Sequence, residues 1–302
     1  MLAGTWGCGK REMGEIEGGK YPVQFSCKDF PKKGGAVSKV TDKNFEAGDV
    51  IGMYSYPSGE AMFGSGDFTR NNVPYVYQQE GELLVRDGQV PMYFPADPAL
   101  PLTFKGYYPY SDQMTADGVL SLDLTDQSAG AKNAILYSNN AQRIARTANY
   151  VSLEFGYVMA QVVINIQYDP ETMPDGDVAA ISAVTMEGDG VHTTCDFHVT
   201  DGSVTTVGGS SVHGVIGMRP GTAVTIATVV PGTVFNLAVT VVTPTHTYVA
   251  RPKNITYETG RSYTYNMTLK GGGEVQIGDA TIMEWEPGND PANDGPIFGE
   301  PE

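Results

Sequence analysis

The sequence predicts an all-β protein, and three observations carry that prediction. Apolar and polar residues alternate with period two in the longest patterned stretches, as in sheets solvated on one face. Turn signals recur roughly every ten residues: Pro57-Ser58-Gly59, Asp87-Gly88, Asp117-Gly118, Asp201-Gly202 and Gly208-Gly209. Glycine (37) and tyrosine (17) are abundant while charged residues make up 18%, a mix suited to short strands joined by tight turns. Many short strands with this punctuation read as antiparallel sandwiches. With 302 residues and 41% hydrophobic content, the chain is long enough for about two such cores.

Residues 1–20 read as a leader and linker. An apolar, small-residue stretch ends at Cys8 and polar, glycine-containing sequence follows, which resembles the end of a lipoprotein signal with Cys8 as the lipidated residue. Next, Tyr21, Val23, Phe25 and Cys27 alternate with Pro22, Gln24 and Ser26, so one apolar face is expected to be buried. Asp29 to Lys43 is rich in lysine and glycine and reads as an exposed loop. Strand-like sequence then runs to Asp126. The best helical candidate is short, Gln127 to Ser138. A second strand-rich block starts near Val151, placing the seam near Thr147: residues 21–147 form one sandwich and 148–286 another. Within the second, Val158, Ala160, Val162, Ile164, Ile166 and Tyr168 share a face of a strand expected to be central, because Val163 adds an apolar residue on the other face. Tyr263, Tyr265, Met267 and Leu269 pattern another strand. Val275, Ile277, Met283 and Trp285 lie on a common phase, interrupted at Gly278-Asp279 by a bulge or turn. Residues 287–302 form an acidic, proline-containing tail.

The composition excludes several function classes. A net charge of −16 repels phosphate backbones and anionic lipid heads, so neither nucleic acid nor a bare membrane surface is an expected partner. No apolar run is long enough to span a bilayer as a helix. Three cysteines, with no CxxC and no Cys/His cluster, argue against zinc and against a disulfide framework. A Cys27–Cys195 bridge and a pair of free core thiols both fit the sequence. His192, Cys195 and His198 fail as ligands on a strand, where the two histidines share a face about 20 Å apart and Cys195 points the other way. No GxSxG, P-loop or other catalytic motif occurs. No enzyme activity, cofactor or metal is expected. The aromatic run Tyr107-Tyr108-Pro109-Tyr110, with Tyr75 and Tyr77, reads either as core packing or as a sugar-stacking platform.

Seven segments in order resemble one family. They are FEAGDVIGMY (Phe45–Tyr54), VPMYFPAD (Val90–Asp97), LTFKGYYPYSD (Leu102–Asp112), LSLDLTDQSAGAKNAILYS (Leu120–Ser138), VSLEFGYVMAQVVINI (Val151–Ile166), GRSYTYNMTL (Gly260–Leu269) and TIMEW (Thr281–Trp285). Together they are similar to the fimbrillin-like pilins and adhesins of anaerobic Gram-negative bacteria. The resemblance implies two consecutive transthyretin-like sandwiches, export as an outer-membrane lipoprotein through Cys8, and surface display in fimbriae. It also implies proteolytic processing ahead of the FEAGD-like segment. Lys39 stands where the family carries an arginine, and Gly156-Tyr157 where it carries a histidine. By the same resemblance, processing removes the strand Tyr21, Val23, Phe25 and Cys27, and a strand from another subunit replaces it. The segment carrying Val275, Ile277, Met283 and Trp285 is the candidate donor. The partners implied are other fimbrial subunits and a host or bacterial surface glycan or protein, with membrane contact only through the lipid anchor. The alternative function is a surface carbohydrate-binding adhesin that does not polymerise.

Overall fold

The computed structural model describes residues 21–27, 45, 47–78, 81–129, 134–173, 176 and 180–285. Cys8, Lys39 and the tail from 287 lie outside the described residues. The described chain is all-β, with single 3-10 turns at Gly209–Ser211 and Gly271–Gly273.

The first half is built on one eight-stranded sheet. In spatial order its strands are Val151–Leu153, Phe25–Cys27, Glu82–Val85, Arg70–Tyr77, Val50–Pro57, Leu102–Tyr108, Leu136–Ser138 and Gly156–Tyr157. The two outermost strands are neighbours in sequence, separated only by Glu154 and Phe155. Leu153 and Gly156 are three peptide steps apart, so the opposite edges of the sheet stand within about 11 Å. The sheet therefore curls until its edges meet. Its concave face holds a core that includes Phe25, Ile51, Met53, Tyr75, Phe94, Phe104 and Leu153. This sheet extends past Thr147: Val151–Leu153 and Gly156–Tyr157 belong to the first half.

The expected helix over Gln127–Ser138 does not form in the described residues, and Leu136–Ser138 is a strand. Ile135 and Tyr137 face one core while Leu136 faces another. A short apolar run buried on both sides has no polar face to reveal its period, which is why it reads as helix or strand.

The second half packs two sheets face to face. One has the order Val224–Val229, Ala160–Tyr168, Arg261–Leu269, with Val275–Ile277 and Thr281–Glu284 sharing the last strand's free edge. The other has the order His213–Met218, Ala183–Asp189, Gly232–Val242, Thr247–Ala250. The strand Ala160–Tyr168 is central, as its two-sided apolar pattern predicts. Ala160, Val162, Ile164 and Ile166 enter the core between the sheets, and Val163 is buried on the other side. Its pairing with Arg261–Leu269 is parallel, as is that of Phe25–Cys27 with Val151–Leu153, so the sheets are mixed.

The halves share a third core. Val119–Asp123 of the first half pairs antiparallel with Thr194–His198 of the second. Tyr54, Tyr107, Leu122, Tyr137, Cys195, Phe197 and Trp285 fill the space behind that pairing. The Lys105 ammonium reaches across to the Thr200 carbonyl, and the Tyr137 hydroxyl donates to the Val199 carbonyl at 3.0 Å. Burial lowers the Lys105 pKa, opposed by the Asp201 carboxylate.

Gln127 staples the seam. Its amide Nε2 donates to the Thr228 carbonyl at 2.8 Å and its Oε1 accepts from the Thr228 N–H at 2.8 Å, so one side chain pairs with an edge strand as a backbone would. Its own N–H donates to the Gly217 carbonyl of the facing sheet. Both sheet edges on that side are thereby covered, which keeps them from pairing elsewhere. Gln127→Ala leaves the Thr228 N–H and carbonyl unpaired in a site with no water access. It should cost about 2–4 kcal/mol, measured as a drop in the urea midpoint with the m-value unchanged.

Candidate functional site

The alternation over Tyr21–Cys27 produces a strand that is held on both sides. Tyr21 and Pro22 pair with Phe94 and Tyr93, and the Val23 N–H donates to the Met92 carbonyl at 2.9 Å. The segment then crosses to the large sheet. There Phe25 and Ser26 pair antiparallel with Leu83 and Glu82, while Phe25, Ser26 and Cys27 pair parallel with Val151, Ser152 and Leu153. The strand is thus interior and not an edge.

Its side chains fill a slot. Val23, Phe25 and Cys27 are buried, and Tyr21 is half-buried under the Arg146 guanidinium, 4.1 Å from its ring centre. Phe25 is the deepest, in edge contact with Tyr75 at 5.2 Å and Phe104 at 5.1 Å. The flanks of the slot are tied to each other without the strand. The Tyr150 hydroxyl donates to the Glu82 carboxylate at 3.0 Å, and Val151–Leu153 is held separately by the Asn140 amide, which follows the strand Leu136–Ser138 and donates to the Ser152 carbonyl at 3.0 Å. The flank Val151–Leu153 is a part of the site that sequence reasoning assigned to the other domain.

The undescribed stretch that contains Lys39 begins after Cys27, which is buried in the first core. The chain is described again at Phe45, which packs on Tyr77, Tyr108 and Phe155 at 5.2–5.5 Å. Both ends of the stretch are therefore anchored in the same core.

The candidate donor residues do not share one face. Val275 and Ile277 are half-buried against the second core. Met283 is exposed, and Trp285 is buried in the core between the halves, stacked on Tyr157 at 3.8 Å. A bulge is the reason. Ile277 pairs with Met267 and Thr281 with Thr264, so three residues (278–280) stand opposite two (265–266). One extra residue inverts the alternation beyond it. Ile282 and Met283 are left exposed on a strand whose four residues are all solvent-facing.

Other readings of the sequence resolve as follows. Tyr107, Tyr75 and Tyr77 are buried and pack the cores, while Tyr108 and Tyr110 are half-buried. Cys27 and Cys195 are not joined in a disulfide and lie in different cores. Burial pushes the Cys195 thiol up to about 12, and the His198 ring nitrogen Nε2 sits 2.8 Å from the Thr205 hydroxyl.

The profile of a family described as fimbrillin-like matches residues 38–285. Fim1C of Bacteroides uniformis, provisionally assigned as a fimbrium subunit, is 25% identical over 269 residues, covering 83% of this chain and 82% of its own. A crystal structure of a provisionally assigned cell adhesion protein from Bacteroides uniformis matches with a TM-score of 0.68 at 20% identity, covering 89% of this chain and all (100%) of that one. Another from Bacteroides ovatus has a TM-score of 0.64 at 15% identity, covering 88% and 98%. At these identities the two structures speak for the fold.

Proposed function

The chain belongs to the fimbrillin-like family, and on that premise we propose that it is a subunit of cell-surface fimbriae assembled by strand exchange. The family is one of fimbrial and adhesion proteins, which accounts for a structure built from packed strands and turns.

The observation that carries the assembly reading is the slot around Tyr21–Cys27. Three buried side chains at about 1.5–3 kcal/mol each amount to roughly 5–9 kcal/mol, an upper estimate, before the main-chain bonds are counted. A cut at Lys39 leaves that strand attached by noncovalent contacts alone. It stays until a strand of similar pattern restores the ladder to Glu82–Val85 and Val151–Leu153. The cross-link between the flanks, Tyr150 to Glu82, keeps the slot in shape during the exchange. The incoming strand must run in the direction of Phe25–Cys27 to reproduce both pairings. The donor in this reading is the segment of a second subunit that carries Val275, Ile277, Met283 and Trp285, in which Thr281–Glu284 is exposed. Cys8 carries the lipid that delivers the precursor to the outer membrane.

The test is a Lys39→Ala variant expressed in cells that make the fimbriae. The expected outcome is a precursor that keeps residues 21–39 and yields no fibres by electron microscopy. Normal processing and normal fibres would place the switch elsewhere.

A further inference from the structure

We propose that the end of the second sandwich carrying Phe235, Asp189, His213 and Asn236 is a binding site for a neutral surface glycan. The proposal is independent of strand exchange and addresses what the displayed subunit adheres to.

The site follows from a second bulge. Glu187 pairs with Ala238 and Asp189 with Phe235, so one residue (188) stands opposite two (236–237). The bulge puts Asn236 at a φ of 52°, which is uncommon for a residue with a side chain. The facing strand accommodates it with glycines on both sides of Asp189. A Cβ on Gly188 would lie 3.0 Å from the Phe235 carbonyl, and one on Gly190, at a φ of 89°, would lie 2.3 Å from that of Thr233. Bulges re-aim side chains, and backbone outliers concentrate where a side chain is held for use.

The bulge aligns three residues in one cross-strand row. His213 and Phe235 both stand opposite Asp189, from the strands on either side. Residues directly opposite in an antiparallel pair project to the same face. All three are accessible: Phe235 is 40% exposed, and the side chains of His213 and Asp189 are 51% and 37% exposed. The Asp189 carboxylate is fixed at both oxygens, by His213 Nδ1 at 2.8 Å and by Asn236 Nδ2 at 2.7 Å. The Asn236 backbone is tied in turn to the Asn254 side chain at 3.2 Å.

This arrangement has the chemistry of sugar recognition. The exposed ring offers a flat apolar face to the C–H side of a pyranose. Asn236, then His213, hold the Asp189 carboxyl below the usual carboxylate range, so it is ionised and His213 Nδ1 carries the donated proton. The carboxylate keeps two further lone-pair positions, His213 offers its second ring nitrogen, and the Asn236 amide has a second N–H. Neighbouring hydroxyls, each both donor and acceptor, match that set. Three strands span about 10 Å, close to the width of two sugar rings and far short of a stable protein interface. The net charge of −16 and the carboxylate at the centre select against sialylated or sulfated glycans.

The experiment is NMR titration of the full chain with neutral oligosaccharides (lactose, chitobiose, maltotriose and mannobiose), beside sialyllactose as the acidic control. The expected result is saturable shifts at residues 187–190, 213–215 and 234–237 with at least one neutral sugar and none with sialyllactose. Phe235→Ala should weaken that binding roughly tenfold, whereas Phe235→Tyr should retain it. Asn236→Gly keeps the backbone conformation but frees Asp189, and should also weaken binding while leaving the circular dichroism unchanged. The proposal is overturned if no neutral sugar shifts these residues at millimolar concentration. Shifts that map to another surface, or a folded Phe235→Ala variant that binds like the parent, would overturn it equally.

Discussion

Replacing Phe25 with alanine should destabilise the protein by about 3–5 kcal/mol, the range for a fully buried aromatic cut back to a methyl group. Phe25 has no exposed surface, and two of its neighbours, Tyr75 and Phe104, meet it edge-on at 5.1–5.2 Å. Their rings are fixed from elsewhere. The Tyr75 hydroxyl accepts the Met92 N–H at 2.9 Å, and Phe104 meets Phe94 at 5.9 Å. The walls therefore cannot close over the void, and the cost falls toward the upper part of the range. Urea denaturation of the intact chain measures this. Under the assembly reading the same substitution has a second effect: a strand without its anchor is displaced more readily once the chain is cut. A Phe25→Leu variant should fall between the two in both respects. A loss below about 1 kcal/mol for Phe25→Ala would mean that the strand is not seated as described.

Replacing Trp285 with alanine should cost about 2–4 kcal/mol, and its effect should be felt in the C-terminal strand. The indole is 3% exposed and stacks on Tyr157 with an interplanar angle of 10°. It fastens Thr281–Glu284, whose own side chains are all exposed and contribute little burial. Truncating a buried tryptophan ordinarily costs more, but the Trp285 indole N–H has no hydrogen-bond partner among the described residues, and removing it recovers part of a desolvation penalty. Trp285→Phe should accordingly be much milder than Trp285→Ala. Hydrogen exchange gives the local readout: the amides of residues 281–284 should lose most of their protection in Trp285→Ala, while those of Ala160–Tyr168 keep theirs.

The strands that alternate cleanly were legible in the sequence. Tyr21–Cys27, Ala160–Tyr168 and Arg261–Leu269 each have one face in a core, and period two records this directly. What stayed hidden has physical causes. The bulge at 278–280 was visible as a Gly-Asp interruption, but its sense was not, because whether it inserts one residue or two depends on the partner strand. Hence Val275 and Met283 seemed to share a face when they do not. Val151–Leu153 reads as the start of a new block because the chain continues directly into the second half's central strand. Only the partner Phe25–Cys27, more than 120 residues earlier, assigns it to the first sheet. Leu136–Ser138 lies between two cores and so lost its alternation. The row His213–Asp189–Phe235 could not be found at all, since three strands far apart in sequence supply one residue each. Its only local trace is the spacing of glycines around Asp189.

Limited trypsin digestion under native conditions tests the removable strand most directly. Lys28, Lys32, Lys33, Lys39 and Lys43 lie between the anchored residues Cys27 and Phe45. The account predicts first cuts among these lysines, leaving a core that begins near Val40. In native mass spectrometry the cleaved fragment that carries Tyr21–Cys27 remains bound. On concentration the cut protein loses that fragment and forms fibres visible by electron microscopy. First cuts near Thr147, or a cut core that releases the strand at once and stays monomeric, would contradict the account.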